Sequence, residues 1–159
     1  EGAFPFDAIL DFTRLTPRQK AMRIYNSDVA LMDSCDICVA HMTPYRGPSM
    51  DVGTAYEMGY MRAQGKPVLG YTNVVGDIFA RTAAFVGGRD RLRLRDSGVH
   101  EDPDAMMIEG MGMVDNLMLD GGVISSGFEI EISSVPHERR YVDLAGFERC
   151  LAQLKSRGY

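Results

Sequence analysis

Asp36-Ile37-Cys38-Val39-Ala40-His41 is an apolar run bracketed by polar residues, and the turn-rich Thr43-Pro44-Tyr45-Arg46-Gly47-Pro48 follows it. A short continuous apolar run ended by turn signals reads as a strand buried on both faces, the kind that parallel sheets contain. Beyond the loop, from about Val52, Ala55, Tyr56, Met58, Gly59 and Ala63 give a second helix that ends near Gly65, and Lys66-Pro67-Val68-Leu69-Gly70-Tyr71 supplies the next strand. Upstream, Thr16-Pro17 opens a helix: the threonine offers an N-cap oxygen, and the proline sits at the first helical position, where its missing N–H costs nothing. That helix is expected to run to about Ser34, with Ala21, Ile24, Tyr25, Leu31 and Met32 at the spacing of a buried stripe and Asp28 placed inside it. The alternation of helix, strand, helix and strand predicts an α/β fold with a doubly wound parallel sheet and flanking helices, in which ligands bind at the carboxyl ends of the strands.

Further along, Ile78 to Val86 reads as a helix, followed to about Ala105 by a glycine-, arginine- and aspartate-rich loop that is either mobile or ordered by a partner. An apolar stretch from Val114 to Leu119 precedes Gly121-Gly122-Val123-Ile124, and Asp143 to about Lys155 carries a helical packing stripe of Leu144, Phe147, Leu151 and Leu154. Residues 1–159 read as one domain without repeats or linkers. The opening Glu1-Gly2-Ala3-Phe4-Pro5-Phe6 leads straight into a loop, so the first strand of the sheet is expected to be absent from this chain.

The 22 acidic and 17 basic residues leave a formal charge of -5, which lacks the basic face that a phosphate backbone requires, so nucleic acid is not an expected partner. Arg89, Arg91, Arg93 and Arg95 alternate with apolar or acidic neighbours, as on a solvated loop or strand face. Cys35 and Cys38 form a C-x-x-C pair with no second ligand pair of suitable spacing, so neither a metal nor a cofactor is expected; with Cys150 they read as reduced, buried thiols. Without an apolar run of membrane-spanning length or a leader segment, a cytoplasmic location with no membrane contact is expected. Met106, Met107, Met111, Met113 and Met118 read as fillers of core and interface gaps.

Asp51 and Glu57 fall at the start and in the first turns of one helix, behind a loop that leaves the carboxyl end of a strand. Gly53 between them lets a substrate approach the backbone closely. A carboxylate near a helix N-terminus also serves as a cap or a dipole partner, so spacing alone leaves Asp51 as a cap and Glu57 as a surface residue. The neighbours of Glu57, Tyr56, Met58, Gly59 and Tyr60, suit a carboxylate held in a pocket better than a solvated one. His41 ends a strand, with room there for a substrate contact, while Tyr45, Arg46 and Ser49 either line a base pocket or shape the turn.

Tyr25-Asn26-Ser27-Asp28, Asp51-Val52-Gly53-Thr54-Ala55-Tyr56-Glu57-Met58-Gly59-Tyr60, Gly65-Lys66-Pro67-Val68 and Asn116-Leu117-Met118 occur in that order. Over roughly residues 4–125 the chain resembles the nucleoside 2-deoxyribosyltransferase family. The resemblance implies a flavodoxin-like fold and a cytoplasmic enzyme of nucleotide salvage that moves 2-deoxyribose between nucleobases. It implies Glu57 as the nucleophile, Asp51 and Asp28 as acids that contact the base, and Asn116 as a sugar contact lent by a neighbouring subunit of a homo-oligomer, a dimer or a hexamer built from dimers. The substrates implied are a 2'-deoxynucleoside and a free nucleobase, with Gly53 and Tyr45 lining their site. The family's opening Tyr-x-Ala-Gly-Pro-like segment has no counterpart here. Two other readings stay open: a 2'-deoxynucleoside 5'-monophosphate N-hydrolase in which water resolves the same intermediate, and a silent nucleoside- or nucleotide-binding module.

Overall fold

The computed structural model describes residues 2–159, which form two compact units, Glu1–Ile37 and Cys38–Tyr159. In the first, a 3-10 turn at Pro5–Asp7 precedes helix α1 (Pro17–Ser34). Thr16 caps α1 as its sequence requires: Gln19 N donates to Thr16 Oγ1 at 3.3 Å, and Thr16 N donates to Gln19 Oε1 at 2.9 Å, so side chain and backbone satisfy each other reciprocally. The stripe predicted for this helix is only partly buried. Met32 is buried and Asp28 half-buried, but Ile24 and Tyr25 are each 45% exposed. Among the described residues the unit contains no sheet to cover the helix's first half, which is why periodicity alone misjudges it.

The second unit runs β1 (Cys38–His41), α2 (Val52–Ala63), β2 (Val68–Thr72), α3 (Ile78–Phe85), β3 (Arg93–Leu94), β4 (His100–Glu101), β5 (Met107–Ile108), α4 (Leu117–Ser125), β6 (Glu131–Ile132) and α5 (Ala145–Ser156). One sheet has the order β1-β2-β6 with all neighbours parallel, Cys38 opposite Val68 and Tyr71 opposite Glu131. Its middle strand β2 is buried at every position, whereas β1, at an edge among the described residues, is fully buried only at Ala40. The reading of two buried faces, made for β1, therefore holds only in part, and it is β2 that is buried on both.

Successive strand residues point to opposite faces, and Gly70 and Tyr71 show what covers each. A Cβ at Gly70 would strike Met42 and approach Val123 of α4, so this face is closed by α4, with α2 packed beside it and against β1 and β2. A Cβ at Gly146 of α5 would lie 2.6 Å from Tyr71 Cδ2, so Gly146 is what allows α5 to lie flat on the other face, against β1, β2 and β6. The result is a parallel sheet with helices on both faces, the predicted flavodoxin-like α/β fold. Met42, Met58, Met61, Val68, Leu69, Val123 and Phe128 make its core.

Helix α2 ends in a left-handed glycine: Gly65 has φ of 78°, its N–H donates to Arg62 O at 3.0 Å and the Lys66 N–H donates to Met61 O at 3.2 Å. This closure absorbs the last carbonyls and turns the chain directly into β2. The buried positions of α5 are Gly146, Cys150 and Leu154, while Leu144 and Leu151 of the predicted stripe lie outward. Met106, Met107, Met111 and Met118 are exposed; the core methionines are Met32, Met42, Met50, Met58 and Met61. Cys35 and Cys38 are half-buried, and only Cys150 is a core thiol, its pKa pushed up to about 12 by burial.

The arginine-rich stretch read as a loop forms a second sheet, order β3-β4-β5, antiparallel throughout. Glu101 is wholly buried in it and pairs with both Arg93 and Arg95. The segment thus carries its own counterion, since a buried carboxylate without a partner is costly. No helix among the described residues is long and apolar enough to cross a membrane.

Candidate active site

The loop Met42–Met50 carries the chain from the carboxyl end of β1 to the N-terminus of α2. Asp51 is the N-cap: its Oδ2 accepts the N–H groups of Gly53 at 2.9 Å and Thr54 at 3.2 Å. Gly53 has a local reason to be glycine, because a Cβ there would lie 2.9 Å from that same Asp51 oxygen. Glu57 sits in the second turn of α2 and is half-buried. Six residues of helix separate the two carboxylates by about 9 Å along the axis. Asp28 belongs to α1, in the other unit, and is half-buried there.

Tyr45 is exposed and closes a turn, its N–H donating to Ser49 O at 2.9 Å, with the Arg46 guanidinium 4.9 Å from its ring centroid. His41, the last residue of β1, stacks on Tyr71 with ring centroids 4.5 Å apart. Its Nε2 lies 2.6 Å from Thr43 Oγ1, which also accepts the Asn73 N–H at 2.9 Å. Burial lowers the His41 pKa, and a hydrogen bond to the Arg140 backbone opposes that only in part. The Tyr141 hydroxyl donates to Pro44 O at 2.5 Å, tying the C-terminal segment to the same loop.

Asn116 is exposed and N-caps α4, its Oδ1 accepting the Met118 N–H at 3.0 Å. Its amide Nδ2 donates to Glu109 Oε1 at 2.6 Å, and the other Glu109 oxygen accepts the Leu117 N–H at 2.8 Å. Just before it, Asp115 is wholly buried. Asp115 accepts from the Ser49 hydroxyl at 2.5 Å, from the Met50 N–H at 3.0 Å, from the Asn116 N–H at 2.8 Å and from Arg81 at 3.4 Å. Arg81 also donates to Pro48 O at 2.8 Å, Gly76 O at 2.7 Å and Val114 O. Burial pulls Arg81 below its ordinary pKa while Asp115, Asp120 and Asp77 oppose it. Asp120, its own pKa raised by burial, accepts the N–H groups of Val114 at 2.6 Å and Asp115 at 2.9 Å.

Arg81, Glu109, Asp115 and Asp120 are not among the residues that the sequence singles out. The available signal was the pair Asp115-Asn116, two good capping residues ahead of an apolar run, which marks a helix start. Gly121-Gly122 in the middle of that helix obscured it, since glycine in a helix interior is unfavourable.

A loop at the carboxyl end of a parallel strand, opening onto a helix with one carboxylate at its cap and another a turn and a half further on, is the arrangement expected of the sequence motif. The family model described as Nucleoside 2-deoxyribosyltransferase matches residues 1–118. The chain belongs to the nucleoside 2-deoxyribosyltransferase family. A curated relative, an uncharacterized protein of Schizosaccharomyces pombe, is 35% identical over 136 residues, covering 80% of this chain and 64% of the relative. The chain thus spans just under two thirds of that relative's length. The solved structure of a 2-desoxiribosyltransferase from Leishmania mexicana aligns with a TM-score of 0.48 at 22% identity, over 78% of this chain and 67% of that one.

Proposed function

We propose that the protein transfers 2-deoxyribose between nucleobases through a covalent intermediate on Glu57. The observation that carries the reading is the placement of Asp51 and Glu57 on one helix whose N-terminus follows the carboxyl end of β1, in a chain of this family. Helical side chains lean toward the N-terminus, so Glu57 leans over Gly53, where the missing side chain leaves room for a sugar. Breaking the C1'–N bond leaves oxocarbenium character on the sugar, which a carboxylate at C1' traps while an acid protonates the departing base.

The steps balance as two displacements. A Glu57 oxygen forms a bond to C1' as the C1'–N bond breaks, and the base leaves with a proton from Asp51. An incoming base then attacks C1' from the face the first one left, the Glu57–C1' bond breaks, and Asp51 takes a proton back, giving retention overall. Asp28 serves as a second acid toward the base and Tyr45 as part of its surroundings. Asn116 is a sugar contact given to a neighbouring subunit, residues 1–159 act as one domain, and the working location is cytoplasmic.

A free nucleoside suits the site better than a 5'-phosphorylated one. Arg93 and Arg95 of the arginine-rich segment already pair with buried Glu101. Asp51 beside the substrate also repels a dianion. Chromatography of reactions containing 2'-deoxyinosine, with and without adenine, tests the reading. Adenine-dependent 2'-deoxyadenosine from the wild type and none from Glu57→Ala is expected. Hypoxanthine released equally without acceptor points to hydrolysis, and no turnover of any deoxynucleoside or its monophosphate to binding alone.

A further inference from the structure

We propose that Asp115, clamped by Arg81, is a positioning residue that sets the Asp51 turn and Asn116 in register with each other. The inference rests on the reading of Asp51 and Asn116 as substrate-contacting residues, and it assigns work to two side chains that touch neither reacting atoms nor base. Asp115 uses one oxygen for the Ser49 hydroxyl and the Asn116 N–H, and the other for the Met50 N–H and Arg81. Met50 is the residue before Asp51, and Asn116 the residue after Asp115. One buried carboxylate therefore holds the backbone on which each of the two contacts is mounted.

Arg81 completes the clamp from α3. Its donors reach Pro48 in the same loop, Gly76 in the turn after β2, and Val114 beside Asp115. Its side chain is 10% exposed and that of Asp115 not at all, so these bonds form where water competes little. Asp120 grips the N–H groups of Val114 and Asp115 and so fixes the backbone that presents the carboxylate. A carboxylate was not needed merely to cap α4, because Asn116 and Glu109 already satisfy its first amides. With Asn116 given to a neighbour, the same node ties a protomer's own acid to the contact it lends.

The test is hydrogen exchange by mass spectrometry on the full chain, well below its unfolding temperature, for wild type, Asp115→Asn and Arg81→Lys. Losing a charge-assisted acceptor is expected to speed exchange about tenfold in both segments, 48–51 and 114–118, with β2 unchanged. Faster exchange in only one segment, or an equal rise in β2, overturns the proposal. Kinetics on the same proteins give the second arm: Asp115→Asn is expected to lower kcat about tenfold with KM little changed, and Arg81→Lys to retain more of it. Both segments loosened with kcat intact overturns the positioning role. If the wild type turns over no deoxynucleoside, the transferase reading fails while the exchange data still decide whether Asp115 couples the two segments.

Discussion

The amide of exposed Asn116 is held by Glu109: it donates to Glu109 Oε1 at 2.6 Å, and the second Glu109 oxygen holds the first N–H of α4. Glu109 follows directly on β5, so the small antiparallel sheet ends in the side chain that orients Asn116. Replacing Glu109 with alanine is expected to cost about 1 kcal/mol of stability through the lost helix-start acceptor. It is also expected to raise KM for the deoxynucleoside more than it lowers kcat, because Asn116 is read as a sugar contact. Denaturant melts and steady-state kinetics on the same preparation check both.

Asp51 does two separable things. It caps α2 through Gly53 and Thr54, and it is proposed to exchange a proton with the base. Asparagine caps helices as well as aspartate but carries no titratable proton. Asp51→Asn should therefore keep wild-type stability and lose transfer by about a hundredfold or more. Asp51→Ala should lose both, at a cost of about 1 kcal/mol. Equal activity in Asp51→Asn and wild type would remove the acid role.

Gly146 lets α5 lie on Tyr71. A methyl group there meets the ring at 2.6 Å, a distance side chains do not tolerate. Gly146→Ala is expected to destabilise by about 1–3 kcal/mol through overpacking, without changing the loop 42–51. Thermal melts beside Tyr71→Leu/Gly146→Ala, where the clash is relieved, check it.

Burial holds the His41 pKa below its ordinary 6.5, so the folded protein keeps the ring neutral where the unfolded chain protonates it. Below that value the unfolded state binds more protons, and stability falls as pH drops toward the folded pKa, while above it His41 contributes no slope. Melts from about pH 8 to about pH 5 should show a decline in the wild type that is shallower in His41→Gln. An unchanged slope would mean that other groups cause it.

The frame of this fold was legible because each of its signals is local. Thr16-Pro17, Asp51 as a cap, Gly65 after α2 and the continuous apolar run of β2 each sit within a few residues of what they determine. The sheet β3-β4-β5 was not legible, since strands of two residues carry no periodicity and their cohesion comes from Glu101 meeting Arg93 and Arg95 across the ladder. For the same reason Arg81 was invisible: it lies 33 residues from Pro48 and 34 from Asp115 in sequence. The carboxylates of the motif could be read from spacing and family resemblance, but the groups that hold them in place could not.

The most direct test of the central claim is the state of Glu57 during turnover. Protein mixed with 2'-deoxyinosine in the absence of an acceptor base, quenched in acid and digested, should yield the peptide containing Glu57 with one added deoxyribosyl group, and adenine added before the quench should discharge it to 2'-deoxyadenosine. The unmodified peptide in a preparation that does turn over deoxyinosine, or an adduct that persists in Glu57→Ala, would contradict Glu57 as the nucleophile.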